Sequence, residues 1–198
     1  MRKINAFSTP IITFQNKELL PELKDYILSL KVDGIDSNIA PLLKNNLKES
    51  KFNLFTHENK IIKETELFIT SCLKKAINDL KNQDEDYDIK INESWFHIGR
   101  KNSSHDVHIH PNCSWCGVFY VQSGDRDCGG KTIFNNPIQS NFVDYATIIM
   151  REPAVIIHPE DGKLALFPSY LNHYQTLYTG DEERIVIAFN SIILQKQN

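Results

Sequence analysis

An α+β fold, with supporting helices first and an antiparallel jelly roll second, is predicted by three observations. Helical apolar periodicity is confined to the N-terminal part, short alternating β-rich segments begin at Tyr87, and turn residues separate those segments at regular intervals. With 198 residues, 41% of them hydrophobic, the chain can bury one sizeable core. The expected organisation is therefore one domain over 1–198, in which 1–86 is mainly helical support and 87–198 is the jelly-roll core.

The first helix is expected near 18–31, where Leu19, Leu20, Leu23, Tyr26, Ile27 and Leu30 recur at spacings of three and four. Pro21 is tolerable there only because it falls near the helix start. A second helix is expected over 60–81, with a broad stripe of Ile61, Ile62, Leu67, Phe68, Cys72, Leu73, Ala76, Ile77 and Leu80, ended by the polar run Asn82 to Asp86. Strands are expected near 89–98, 105–110, 116–122, 131–135, 154–158, 163–167, 173–178 and 184–193. The intervening turns are marked by Ser123-Gly124-Asp125, Cys128-Gly129-Gly130, Asp161-Gly162 and Gly180-Asp181. Eight strands suit a jelly roll. Residues 138–153 fit neither pattern and are expected to be a long connection across the mouth of the barrel.

Charge names no partner. The 22 basic and 25 acidic residues leave a net charge of −3, with no basic patch that would predict nucleic acid or a membrane surface. No stretch approaches the run of about 20 apolar residues that a membrane span needs, and the start, MRKINAFSTPIITFQNK, has no apolar run of signal length. Four unevenly placed cysteines, Cys72, Cys113, Cys116 and Cys128, do not form a secreted disulfide framework, so a soluble cytoplasmic protein is expected.

The chemistry concentrates in His105-Asp106-Val107-His108-Ile109-His110-Pro111. In an extended segment, Asp106, His108 and His110 share one face and Val107 and Ile109 the other. Imidazoles and a carboxylate side by side are costly to desolvate but are what a divalent transition metal needs. A solvated polar strand is the alternative. About sixty residues on come Asp161-Gly162-Lys163-Leu164-Ala165-Leu166-Phe167-Pro168, then His173, then Glu183-Arg184-Ile185 opening a last strand. In a jelly roll the late strands return beside the early ones, which brings His173 to the metal of His108 and His110, with Arg184 deeper in the same cavity.

These motifs resemble the iron(II)/2-oxoglutarate oxygenases, and within them a prolyl-hydroxylase-like group of bacteria and phages. The resemblance spans about 92–193 and rests on Asn92-Glu93-Ser94-Trp95, His108-Ile109-His110-Pro111-Asn112, Cys116-Gly117-Val118-Phe119-Tyr120-Val121, Gly129-Gly130-Lys131-Thr132-Ile133-Phe134, Gly162 to Pro168, His173 and Glu183-Arg184-Ile185, all in order. It implies a double-stranded β-helix, cupin-like, with His108, the residue two positions on, and His173 as metal ligands. It further implies that Arg184 pairs with the far carboxylate of 2-oxoglutarate, to which its planar fork is suited, and that Tyr120 is a second holder of that co-substrate.

The chain departs from the wider superfamily by carrying His110 where a carboxylate belongs. The expected set is His108, His110 and His173, with Asp106 as alternate ligand or as an acceptor orienting His108. The implied activity is a dioxygenase using Fe(II), 2-oxoglutarate and dioxygen to hydroxylate a peptide side chain or small molecule, with specificity in loops near 98–105 and 138–153. Two other readings differ in kind: a cupin-like metalloenzyme that does not use 2-oxoglutarate, which Arg184 argues against, and a non-catalytic jelly-roll binding module.

Other features have plainer readings. Trp95, Trp115, Phe119, Phe134 and Phe167 are expected to be core before cavity wall. Cys113-Ser114-Trp115-Cys116 lacks a second ligand pair for zinc, and positions three apart in a strand face opposite sides. His97 and His158 look isolated and His57 looks like surface, while Gly129-Gly130 reads as a turn with no helix to follow.

Overall fold

The computed structural model describes residues 8–30, 44–82, 86–137 and 153–195. In chain order these form β1 (Ile12–Gln15), α1 (Leu20–Ser29), β2 (Lys44–Glu49), a 3-10 turn (Leu54–Thr56), α2 (Lys60–Lys81), β3 (Tyr87–His108), β4 (Trp115–Gln122), β5 (Thr132–Asn135), β6 (Ala154–Ile157), β7 (Lys163–Pro168), β8 (His173–Tyr178) and β9 (Arg184–Gln195). The two expected helices are present. Pro21 lies in the first turn of α1, where its missing N–H costs nothing. Asn59 caps α2 by accepting from the Ile61 N–H at 2.9 Å, and Asn82 ends it in the left-handed conformation.

The strands run antiparallel in a curled sheet of order β1-β7-β4-β9-β3-β8-β5-β6, with β2 laid beside β3. This is the jelly roll that the strand count and turn spacing predicted, in the double-stranded β-helix form that the family resemblance implied. Along β3 and β9 the two-residue period separates two environments. Phe96, Ile98, Ile185, Ile187 and Phe189 face α1 and α2 and join Leu23, Ile27, Ile62, Ile69 and Leu73 in the main core. The intervening Trp95, His97, Arg184, Val186, Ala188 and Asn190 line a cavity of about 350 Å³ on the other side. At one point the core has no room for a side chain: a Cβ on Gly117 would lie 2.3 Å from Cζ of Phe189.

Two differences from the sequence reading have physical causes. The strands expected at 89–98 and 105–110 are one strand, β3, which changes partner along its length from β9 to β8. Bulges near Ile91, Ser103 and His105 let it bend and continue, so 98–105 is strand and not a loop. β1 and β2 lie in the part expected to be helical. β1 adds an edge to β7, and β2 is a polar strand whose only apolar residue, Leu47, is fully buried against β3. Residues 138–152, most of the expected connection across the mouth, lie outside the described residues. Among those described, no helix is long and apolar enough to cross a membrane.

Candidate metal centre

β3 ends at His108, and β8 begins at His173 directly opposite, so the sheet ladder itself sets these two imidazoles side by side, with ring centroids 4.2 Å apart and planes tilted by 52°. His110 lies just past the strand, in the connection to β4, and its backbone N–H donates to the Ser169 carbonyl at 3.2 Å. Its Nε2 is 3.3 Å from Nε2 of His173. The three histidines each offer a nitrogen, and these nitrogens all fall within 4.8 Å of one another.

Backbone carbonyls orient two of the rings. His108 Nδ1 donates to the Asp106 carbonyl at 2.8 Å and His173 Nδ1 to the Leu171 carbonyl at 2.9 Å, which leaves each Nε2 with its lone pair directed inward. Phe134 and Phe167 enclose His173, at ring-centroid distances of 5.6 and 4.7 Å. That burial, reinforced by His108 and His110, lowers its pKa to about 3, so the ring is neutral and ligand-competent throughout the physiological range.

The shared face expected for Asp106, His108 and His110 does not form. Asp106 is exposed, and it is its backbone oxygen that His108 contacts; the irregular register between His105 and His108 breaks the alternation. His105 instead packs against His108 in a tilted pair with ring centroids 4.1 Å apart, and the row continues to His97 at 5.7 Å. His97 is not isolated: its Nε2 meets Oε2 of Glu49 on β2 at 2.5 Å, and both line the cavity. Glu49 was missed by sequence reasoning because β2 carries almost no apolar signal. His57 is half-buried and contacts the Tyr26 hydroxyl at 3.0 Å.

At the deep end of the cavity sits Arg184, the first residue of β9 and 1% exposed. Its Nη1 donates to Gln175 Oε1 at 2.6 Å and its guanidinium lies 5.4 Å from the Tyr120 ring. Its Nε has no partner, and among the described residues no carboxylate pairs with it. Burial lowers its pKa from the usual arginine range, which marks a guanidinium held without the anion that would offset its desolvation. Gly130, at φ 65°, makes room: a Cβ there would meet Arg184 Cδ and Nε at 3.0 Å. Tyr120 is fully buried behind this point, and its hydroxyl reaches the cavity through Thr132, whose Oγ1 is 2.6 Å away.

Of the five aromatics, Trp95 and Phe167 line the cavity. Phe119 packs against Phe68 of α2, and Trp115 adjoins the helix-side core. Cys113 and Cys116 do not face opposite sides: β4 begins only at Trp115, and the chain before it turns so that the two sulfurs lie 3.6 Å apart.

Residues 93–190 match the model of a family described as "Putative 2OG-Fe(II) oxygenase". None of the curated proteins matches the sequence. Solved structures are similar in fold. A Pseudomonas putida prolyl-4-hydroxylase aligns over 96% of this chain and 95% of its own, at 14% identity and a TM-score of 0.59. A prolyl hydroxylase from Trichoplax adhaerens, in complex with a hypoxia inducible factor peptide fragment, covers 92% and 83%, at 14% identity and 0.60. HygX from Streptomyces hygroscopicus, with nickel, 2-oxoglutarate and hygromycin B bound, covers 92% and 82%, at 11% identity and 0.62. At such identities the likeness speaks for the architecture alone.

Proposed function

We propose, for a chain that belongs to the 2OG-Fe(II) oxygenase superfamily, that His108, His110 and His173 hold the iron and Arg184 the far carboxylate of 2-oxoglutarate, in an enzyme that hydroxylates a peptide side chain or small molecule. One observation carries this reading. Three convergent imidazoles and a buried guanidinium, which has no carboxylate partner among the described residues, open onto the same cavity.

The residues present fit both groups. Three neutral imidazoles cancel none of a divalent ion's charge, whereas two histidines and an acid would cancel one unit. Together with Arg184 this makes the cavity strongly attractive to a dianion. The orphaned Nε of Arg184 and its second terminal nitrogen present the planar fork that a carboxylate meets with two parallel hydrogen bonds. Gln175 holds the guanidinium in plane, and Thr132 Oγ1, backed by Tyr120, offers a further hydroxyl at the same end. Bound iron and 2-oxoglutarate supply the oxidising chemistry. The protein's part is to fix geometry and keep competing reactions out, which here falls to the apolar wall of Trp95, Val118, Phe167 and Ala188.

The substrate class rests on analogy. A prolyl hydroxylase with a peptide bound and HygX with hygromycin B bound, both similar in fold, support a peptide or a small molecule as the substrate, which would enter at the open side of the cavity, with Phe52, Glu93, Pro111 and Tyr174. Anaerobic titration of iron(II)-loaded protein with 2-oxoglutarate tests the proposal. A visible metal-to-ligand charge-transfer band should form in the wild type and weaken in Arg184→Ala. Bound iron without a band would overturn the co-substrate assignment in favour of a cupin-like metalloenzyme.

A further inference from the structure

We propose that Cys113 and Cys116 form a reversible disulfide site set against the metal-binding histidines, with a small-molecule disulfide such as glutathione disulfide as its oxidant. The coupling to metal binding rests on the histidine assignment above; bond formation itself does not.

The two sulfurs are 3.6 Å apart, and a disulfide requires about 2.05 Å, so closure asks for a relative movement of only about 1.5 Å. The pair is asymmetric in access. Cys116 is 1% exposed on β4, anchored by ladders to both β7 and β9, whereas Cys113 is half-buried in the connection before it and can be reached by a small reagent. Besides their mutual Sγ–Sγ contact, each thiol has one weak hydrogen bond to oxygen, Cys113 to the His110 carbonyl and Cys116 to Asn190 Oδ1, both at 3.4 Å. Thiols are poor donors, so little opposes their loss.

The exchange proceeds in two balanced steps. The Cys113 thiolate attacks one sulfur of glutathione disulfide, forming a mixed disulfide and releasing one glutathione thiolate. Cys116 gives up its proton, attacks the Cys113 sulfur and expels the second glutathione. Two electrons pass from the cysteine pair to the reagent, and two protons end on the released thiols.

Closure acts on the cavity from two sides. Cys113 loses its contact with His110, the histidine that no strand ladder fixes, and its own carbonyl is the acceptor for Ser169 Oγ, at 2.8 Å, on the segment that also binds the His110 N–H. Asn190 loses the Cys116 donor while its Nδ2 still holds Glu93, at 2.6 Å, on the cavity wall. Second-sphere partners of metal ligands typically change affinity by about 10–100-fold, so the oxidised form should bind iron(II) about tenfold more weakly.

The test incubates reduced, metal-free protein anaerobically with glutathione disulfide, maps the cross-links by mass spectrometry, and then titrates iron(II) into both forms by calorimetry. A Cys113–Cys116 cross-link is expected, reversed by dithiothreitol, absent in Cys113→Ser and in Cys116→Ser, and retained in Cys128→Ser, with the weaker iron binding only in the oxidised form. Stable mixed adducts without the internal bond, or a cross-link through Cys128, would overturn the site. Equal iron affinity of the two forms would overturn its coupling to His110. If the reduced protein takes no iron(II) at all, the histidine assignment falls, while the cross-link result still decides the disulfide.

Discussion

The two faces of β3 and β9 are made by alternate residues of the same strands and obey opposite rules. On the helix side, Phe96, Ile98, Ile187 and Phe189 are buried among apolar neighbours, so every buried atom is satisfied by contact. On the cavity side, one position along the strand, Arg184 is equally buried, yet among the described residues its Nε has no partner, and the Trp95 indole N–H is likewise buried without an acceptor. The first face is finished by the chain itself, whereas the second leaves buried donors turned towards the cavity. Stability and function are thus separated by the strand period and not by distance along the sequence.

The sharpest way to break this contrast is to truncate one residue on each face. Phe189→Ala should cost about 3–5 kcal/mol in urea denaturation, because it empties the space that Gly117 leaves for the ring. Arg184→Met should do the reverse. Replacing a buried, uncompensated charge by an apolar side chain of similar length should raise the denaturation midpoint, by about 1–4 kcal/mol on the precedent of buried ion clusters, while abolishing the 2-oxoglutarate charge-transfer band. A destabilised Arg184→Met would mean that the guanidinium is satisfied internally.

Smaller effects sharpen the comparison. The pKa of His173 is lowered in the fold to about 3, below its unfolded value near 6.5, so the unfolded chain binds the extra proton first as pH falls. The stability this neutral ring permits is fully present above pH 6.5 and is lost on acidification from there towards pH 3, by at most about 1.4 kcal/mol per pH unit. Metal-free protein, melted across that range, should show the loss, and His173→Gln should flatten it. Asp106→Ala should change iron(II) affinity by about twofold or less, since the carboxylate is exposed and only its backbone oxygen touches His108. A large loss there would restore Asp106 as a ligand.

What the sequence makes legible follows from the same physics. The apolar stripe of α2 and the near-continuous apolar runs of β4, β7 and β9 predict their elements closely, because the helix buries a full face and these strands bury both. Residue type and order single out His108, His110, His173 and Arg184, and the fold brings them to one cavity. What alternation could not supply was anything that depends on a break in it. The bulges in β3 remove Asp106 from the expected face, and the turn before β4 brings Cys113 to Cys116. β2, reading Lys-Asn-Asn-Leu-Lys-Glu with Asn46 at φ 53°, shows no strand pattern of its own, so the Glu49 partner of His97 had no signal. Its one cue was a single leucine placed two residues before the acid.

His110 is held differently from its two companions. His108 and His173 are rungs of a ladder, and altering either disturbs the pairing of β3 with β8, whereas His110 hangs from a connection secured at Ser169. The tripod therefore has two legs cast with the frame and one bolted on. On the proposed ligand set, exchange of imidazole for carboxylate at the bolted leg would change the charge of the centre by one unit without rebuilding the barrel, which would make this position the natural dial for retuning a metal held there.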